Sequence, residues 1–389
     1  MRPQGDSLSD QEPRQHPDEP AQGRSSPPDP HLEALRRRID ELDAQLVQLL
    51  NERARVVVEV GRHKRATGNL QIYSPDREHQ VLQNIARINC GPLKSETLVA
   101  VYKELMSGSF ALEKPLRIVY LGPDGSFSHL AARQQFGASV EYVPVRDIAT
   151  VFDSISRKFG DYGLVPIENT TGGSVTDSLD GFLSTPVTVC AELALPIHQN
   201  LLANCGVADI QVVYSKPQVF NQCRTWLSHN LPKAELVETP STTIAAQRAA
   251  SEPNAAAIAS RLAAELYNVA IAFEAIEDNT QNVTRFLVLG REGPKRTGND
   301  KTSLLFSVVH RHGALVEVLS IFHRKGINMT KIESHPSPFR KWEYYFFVDI
   351  EGHREDDHVR EALAEARDHC KQLEVLGSYP RAVRHDVDA

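Results

Sequence analysis

"GLVPIENTTGG", residues 163–173, begins as a buried strand and ends as something else. Gly163, Leu164, Val165, Pro166 and Ile167 are apolar, and a short apolar run bounded by turn residues reads as a covered strand. Glu168, Asn169, Thr170 and Thr171 then offer four hydrogen-bonding side chains before two glycines. Such a strand end serves as a capped turn or as the floor of a site, and its company must decide. Further short β-rich runs at 140–143, 187–189, 212–214 and 255–258 alternate with helical stretches. With a strand at 116–121, a loop at 122–126 and a helix at 129–136, they predict an α/β domain over residues 115–291, with room for two lobes.

The flanks differ in texture. Residues 1–30 are rich in Pro, Gln, Asp and Ser and almost lack large apolar side chains, which predicts a disordered tail. From residue 31, Leu32, Leu35, Ile39, Leu42, Leu46 and Leu49 recur at helical steps, continued by Val56 and Val60, with no proline or glycine before Gly61. Such a helix, on the order of 50 Å long, cannot bury its stripe within a small domain and is expected to pack on a second copy. Two further helices at 75–90 and 95–112 complete an all-helical, dimeric unit over 31–114. A Gly/Pro/Asn/Asp linker at 291–301 precedes a strand (303–309), a helix (314–325), strands (327–332 and 344–350), a helix (359–370) and a strand (373–376). That βαββαβ order predicts a ferredoxin-like α+β unit over 302–383.

The 389 residues, 41% hydrophobic and 24% charged, suit a soluble multidomain protein. A net charge of −7 gives no electrostatic case for nucleic acid. Cys90, Cys190, Cys205, Cys223 and Cys370 are scattered without a C-x-x-C pair, which points to reduced thiols in the cytoplasm rather than disulfides or zinc. No metal cluster is visible, and His310 and His312 read as surface or turn residues. No apolar run approaches the roughly 18 residues of a membrane helix, and the charged, proline-rich start argues against a secretory signal.

In the helical segment the cations are informative. Arg53 and Lys64 are eleven residues apart, which returns them to nearly one face at about 100° per residue. Arg36 lies off that face and would join them only from the other chain of a dimer. Arg77 and Glu78 open the second helix after a proline. Spacing alone fits solvated surface charge at least as well. However, "LRRRIDELDAQLVQLLNERARVVVEVGRHK" and "SPDREHQVL" resemble the all-helical chorismate mutases across residues 31–113. The resemblance implies that Arg53, with Arg36 of the partner chain, binds two substrate carboxylates, that Lys64 donates to the ether oxygen, and that Glu78 holds the ring hydroxyl. Arg77 and Ser109 match further substrate-lining positions, and Ser74 stands where an aspartate can occur. Glu113 matches the second ether-oxygen donor; a carboxylate cannot donate, so Glu113 is expected to act in its neutral form, with mutase activity falling as pH rises. A Claisen rearrangement suits these residues, since it needs a folded substrate and donors aimed at developing charge, not a nucleophile.

In the α/β segment "YLGPDGSFSHLAAR", residues 120–133, places a glycine-rich turn before a helix whose N-terminus favours an anion such as a carboxylate, although a turn capped by Ser126 or Ser128 fits equally. Together with "VPIENTTGG" and "NVTRFLVLG" (282–290), it resembles the prephenate dehydratases across residues 116–290. The resemblance implies two lobes like those of periplasmic binding proteins with the site between them, and Thr284 as the catalytic threonine. Asn169, Ser215, Gln222 and Glu168 match other cleft positions, and Ser128 and Arg285 lie within motifs that line the site. A threonine is a weak acid, so Thr284 is expected to assist the departing C4 oxygen of prephenate by a short hydrogen bond in a water-poor cleft.

"HGALVEVL" (312–319) and "KIESHP" (331–336) resemble the ACT regulatory domain of these enzymes. Gly313, Ala314, Leu315, Val316, Glu333 and Ser334 match its phenylalanine-binding stretches, Asn328 would lie near the ligand, and His335 replaces an arginine. As a whole the chain resembles the bifunctional chorismate mutase–prephenate dehydratases. That implies a multidomain, cytoplasmic enzyme acting on chorismate and prephenate without a cofactor, inhibited by L-phenylalanine and dimeric through its mutase and ACT domains. A fusion with an NAD-dependent prephenate dehydrogenase would need a G-x-G-x-x-G and a following acidic residue, absent near Gly122. A non-catalytic amino-acid sensor would have no need of Thr284, Lys64 and Arg53 together.

Overall fold

The computed structural model describes residues 29–68, 72–337 and 343–382, so the tail expected over residues 1–30 lies outside them except for its last two positions. Contacts divide the chain at Val56 and Val57 into two units. In the first, residues 30–56 form most of one unbroken helix, α1 (Pro30–Ala66). Its apolar stripe is open on the single chain: Leu35, Ile39, Leu46 and Leu49 are each more than half exposed.

The second unit begins with the end of α1 and continues through α2 (Pro75–Ile88) and α3 (Ser95–Glu113). Pro75 occupies the first turn of α2, where its missing N–H costs nothing. The bend before it buries Tyr73, whose ring stands edge-on to Phe110, Phe136 and Tyr162 at 5.1–5.7 Å. Next come β1 (Arg117–Leu121), α4 (Phe127–Phe136), β2 (Glu141–Val145), α5 (Ile148–Ser156), β3 (Tyr162–Asn169), β4 (Gly173–Ser174), α6 (Thr176–Ser184) and β5 (Thr188–Pro196). The chain then crosses to a second lobe: β6 (Asn200–Ala203), β7 (Val212–Ser215), α7 (Pro217–Gln222), α8 (Arg224–Asn230), β8 (Glu235–Glu238), α9 (Thr242–Ser251), β9 (Ala255–Ala259), α10 (Arg261–Tyr267) and β10 (Ile271–Phe273). It returns as β11 (Val283–Gly290), which inserts antiparallel between β3 and β5. The first lobe's sheet runs β2-β1-β3-β11-β5 and the second lobe's β10-β6-β9-β7-β8. Two crossings between lobes, before β6 and after β10, leave a cleft beside the ends of β3 and β11.

The remainder is β12 (Asp300–Val308), α11 (Ala314–Arg324), β13 (Met329–Pro336), β14 (Tyr344–Glu351), α12 (Asp357–His369) and β15 (Cys370–Pro380), in sheet order β13-β14-β12-β15. One face of this sheet packs on its own helices through Phe306, Val318, Phe322 and Leu363. The other shares a core with the first lobe: Leu305, Phe347, Leu376 and Tyr379 join Phe152, Phe182, Val189 and Leu289. Each large apolar side chain buried there contributes roughly 1.5–3 kcal/mol. The approach is close at Gly377, where a Cβ would stand 2.1 Å from the carbonyl oxygen of Val189.

Candidate functional site

Strand pairing sets Thr284 opposite Asn169 and Arg285 opposite Glu168. The Asn169 Oδ1 accepts the backbone N–H groups of Thr171 (2.9 Å) and Gly172 (2.8 Å), which fixes the orientation of its amide. Its Nδ2 therefore donates to the Oγ1 of Thr284 (2.8 Å) and to the Oδ1 of Asn282 (2.8 Å). The capped turn is thus what positions the floor of the cleft. Because Thr284 Oγ1 is an acceptor in this bond, its own proton is left to point elsewhere.

Asn169 and Thr284 line a cavity of about 280 Å³ together with Ser128 from the first lobe and Gln222, Lys216 and Thr243 from the second. The Oε1 of Gln222 accepts from the Nε2 of Gln199 (3.1 Å). Ser126 caps α4 by accepting the His129 N–H (3.2 Å), leaving the helix start with Ser128 on the cleft. The glycine turn before it is tied across the lobes, since Ser260 Oγ donates to the carbonyl of Gly125 (2.7 Å). The Gly125 N–H donates to the Nδ1 of His129 (3.1 Å), so that ring is neutral; burial pushes its pKa down, only partly opposed by Asp124.

Three expected cleft residues lie elsewhere. Side chains alternate along a strand, so with Thr284 and Asn169 in the cleft, Arg285 and Glu168 emerge on the opposite face. There Arg285 binds Asp349 of β14 (2.5 Å), Glu192 of β5 (2.7 Å) and the Tyr379 hydroxyl of β15 (3.1 Å). Burial works against its charge, but Tyr379, Asp349 and Glu192 more than compensate, so the guanidinium stays cationic. Lys301 closes the group on Glu192 at 2.8 Å, and Glu168 pairs with Lys331 of β13 at 3.0 Å. Ser215 is buried, its hydroxyl donating to the Ile258 carbonyl (2.8 Å).

Of the residues expected to act on chorismate, Arg36 and Arg53 lie on α1 in the first unit, exposed and half-buried respectively. In the second unit, Glu113 approaches α1 so closely that a Cβ on Gly61 would meet its Cγ and Cδ at 2.9 Å. Gly61 is three residues before Lys64, so Glu113 reaches the face that carries Lys64. Ser109 donates to the Leu105 carbonyl (2.7 Å), Ser74 to Asp76 (2.8 Å), and Arg77 is exposed beside Gln80. Glu78 accepts from the Tyr73 hydroxyl (2.7 Å) and from Gln135 of α4 (3.3 Å). Burial raises its pKa, with Tyr73 and Lys103 opposing.

In the last unit Gly313, at φ 75°, turns the chain into α11, the left-handed conformation that favours glycine. Ala314 is buried, Leu315 packs on the core, Val316 and Asn328 are exposed. Glu333 and Ser334 point to opposite faces of β13: Glu333 accepts from Ser174 (2.8 Å), while Ser334 faces solvent. His335, two positions on from Glu333, meets Asp180 of α6 at 2.7 Å.

A cleft between two α/β lobes with Asn169, Thr284 and Gln222 on its walls, in one chain with a helical unit and a βαββαβ unit, defines a multidomain enzyme. Residues 35–114 match chorismate mutase type II, residues 118–294 prephenate dehydratase and residues 302–368 the ACT domain. The bifunctional chorismate mutase/prephenate dehydratase of Aquifex aeolicus is 42% identical over 357 residues, 90% of this chain and 98% of that one. The enzyme of the same name from Escherichia coli is 33% identical over 374 residues, covering 90% and 96%. The prephenate dehydratase of Arthrobacter aurescens, solved in complex with L-Phe, superposes with a TM-score of 0.63 at 32% identity over 68% of this chain and 90% of that one. The chain belongs to the bifunctional chorismate mutase/prephenate dehydratase family. Among the described residues no helix is long and apolar enough to cross a membrane.

Beyond Gln222, sequence reasoning missed other residues that line the cleft on the second lobe's side: Gln199, Lys216, Ser241, Thr242 and Thr243. The signal available was "PSTT" (240–243), a turn and helix cap ahead of an alanine-rich helix.

Proposed function

We propose that this chain rearranges chorismate to prephenate in its helical unit and converts prephenate to phenylpyruvate in the cleft between its lobes. The observation that carries the second step is the 2.8 Å bond from Asn169 Nδ2 to Thr284 Oγ1. It holds the threonine so that its O–H can hydrogen-bond the C4 oxygen of prephenate as the C–O bond breaks. Gln222 and Ser128 line the same cavity and orient the ring. In the first step Lys64 and Glu113 serve the ether oxygen, Arg53 and the partner chain's helix serve the carboxylates, and Glu78, Arg77, Ser74 and Ser109 the remaining contacts. The open stripe of α1 supports a homodimer, because leaving Leu35, Ile39, Leu46 and Leu49 in water would forfeit their burial. Exposed Val316 and Ile332 support a second contact between copies through the ACT units, with L-phenylalanine bound near Gly313, Ala314, Leu315, Asn328 and Ser334 as feedback inhibitor. We place the enzyme in the cytoplasm. The test is to incubate the purified chain with chorismate and follow prephenate and phenylpyruvate with and without L-phenylalanine. Both products should form, the second suppressed by L-phenylalanine; formation of neither would reject the reading.

A further inference from the structure

We propose that the N-terminus of α9, with the Thr243 hydroxyl, holds the carboxylate of prephenate that survives into phenylpyruvate. The inference rests on the dehydratase reading of the cleft. The helix is ten residues long, and its cap, Ser241, accepts the N–H of Ile244 at 3.1 Å. The N–H groups of Thr242 and Thr243 precede the first that an intrahelical carbonyl can reach, and they carry the positive end of the helix dipole. Ser241, Thr242 and Thr243 all line the cleft. Thr243 is 1% exposed, yet its Oγ1 has no hydrogen-bond partner. A buried hydroxyl without a partner is rare and points to a group that arrives with the ligand.

Charge balance gives this group its identity. Prephenate brings two carboxylates, and among the described residues lining the cleft Lys216 is the one cation. Arg285 is committed to the opposite face. Neutral donors must therefore meet at least one carboxylate, as a helix N-terminus can.

The chemistry decides which carboxylate. As the ring carboxylate leaves, the bond from C1 breaks, its electron pair enters the ring, the C4–O bond breaks, and the oxygen departs as water with a proton drawn ultimately from solvent. One prephenate dianion and one proton thus give one phenylpyruvate anion, carbon dioxide and water. The ring carboxylate loses its charge in the transition state, so strong donors on it would favour the ground state and slow the step. The pyruvyl carboxylate keeps its charge throughout and can be held firmly without that penalty. Geometry agrees: C4 and C1 are opposite ends of the ring, and a C4 oxygen held at Thr284 in one lobe leaves the substituents of C1 to the other, which carries α9.

The test uses the full-length chain and the variants Thr243→Val and Thr243→Ser, with the product phenylpyruvate as probe. Thr243→Val should raise both the KM for prephenate and the Kd for phenylpyruvate about tenfold, with kcat falling less than threefold. Thr243→Ser should restore both constants to within about threefold of wild type. Mutase turnover on the same chains reports that they are folded. An unchanged phenylpyruvate Kd in Thr243→Val, whether or not kcat falls, would overturn the assignment. A wild-type chain that turns over no prephenate but binds phenylpyruvate more tightly than Thr243→Val would reject the dehydratase reading while keeping the carboxylate site.

Discussion

Thr284 and Arg285 are neighbours on one strand and serve two different faces of it. Thr284 takes the Asn169 hydrogen bond in the cleft at 2.8 Å, and Arg285 takes Asp349 of the ACT sheet at 2.5 Å. The same split recurs on β3, where Asn169 faces the cleft and Glu168 faces Lys331. A displacement of the ACT sheet that pulls on Arg285 therefore acts on the strand that carries Thr284.

Arg285→Gln should be a stability and regulation variant rather than a substrate-binding one. It leaves Glu192 and Asp349, both buried, short of their guanidinium partner. Breaking a buried pair of this kind costs about 3–5 kcal/mol. Denaturant unfolding should show that loss, inhibition by L-phenylalanine should weaken, and the KM for prephenate should stay within about threefold. A selective rise in KM at unchanged stability would return Arg285 to the cleft.

Gly61→Ala should impair the mutase alone. Its Cβ would stand 2.9 Å from Glu113 Cγ and Cδ, displacing that side chain from the face of α1 that carries Lys64. A misplacement of about 1 Å can cost on the order of a hundredfold in rate. We expect kcat/KM for chorismate to fall at least tenfold while prephenate turnover stays within about twofold. Equal losses in both activities would mean that the change acts through folding.

Glu78 sets a pH dependence of stability. Its folded pKa is raised above the ordinary 4.5 by burial, so the folded chain holds this proton more tightly than the unfolded one. Its contribution therefore falls as pH rises from about 4.5 through the raised value, and the full penalty persists above it. Glu78→Gln keeps an acceptor for Tyr73 and removes the titration. The Tm of the variant relative to wild type should climb between about pH 4 and pH 8; a difference independent of pH would remove this explanation.

Much of this was legible in the sequence, because helix stripes and strand runs are local patterns. Asn169 and Thr284 were named by the resemblance that the stretches 163–173 and 282–290 carry together, and strand pairing sets the two residues opposite each other. Arg285 was expected in the cleft from its motif, and motif proximity ignores alternation: Arg285 and Glu168, each next to a cleft residue, point to the opposite face. The strand expected at 327–332 lies instead at Met329–Pro336, running through the "KIESHP" stretch, so Glu333 and Ser334 part to opposite faces. The Tyr73–Glu78–Gln135 cluster ties the start of α2 to α4, about sixty residues on, and no local pattern announces that contact.

The most direct measurement gives chorismate to wild-type and Thr284→Val chains in neutral buffer and follows both later compounds. Wild type should pass prephenate on to phenylpyruvate. Thr284→Val should accumulate prephenate at the wild-type mutase rate and form phenylpyruvate at least about a hundredfold more slowly, the scale expected when a positioned proton donor is lost. Phenylpyruvate formed by Thr284→Val at the wild-type rate would contradict the account.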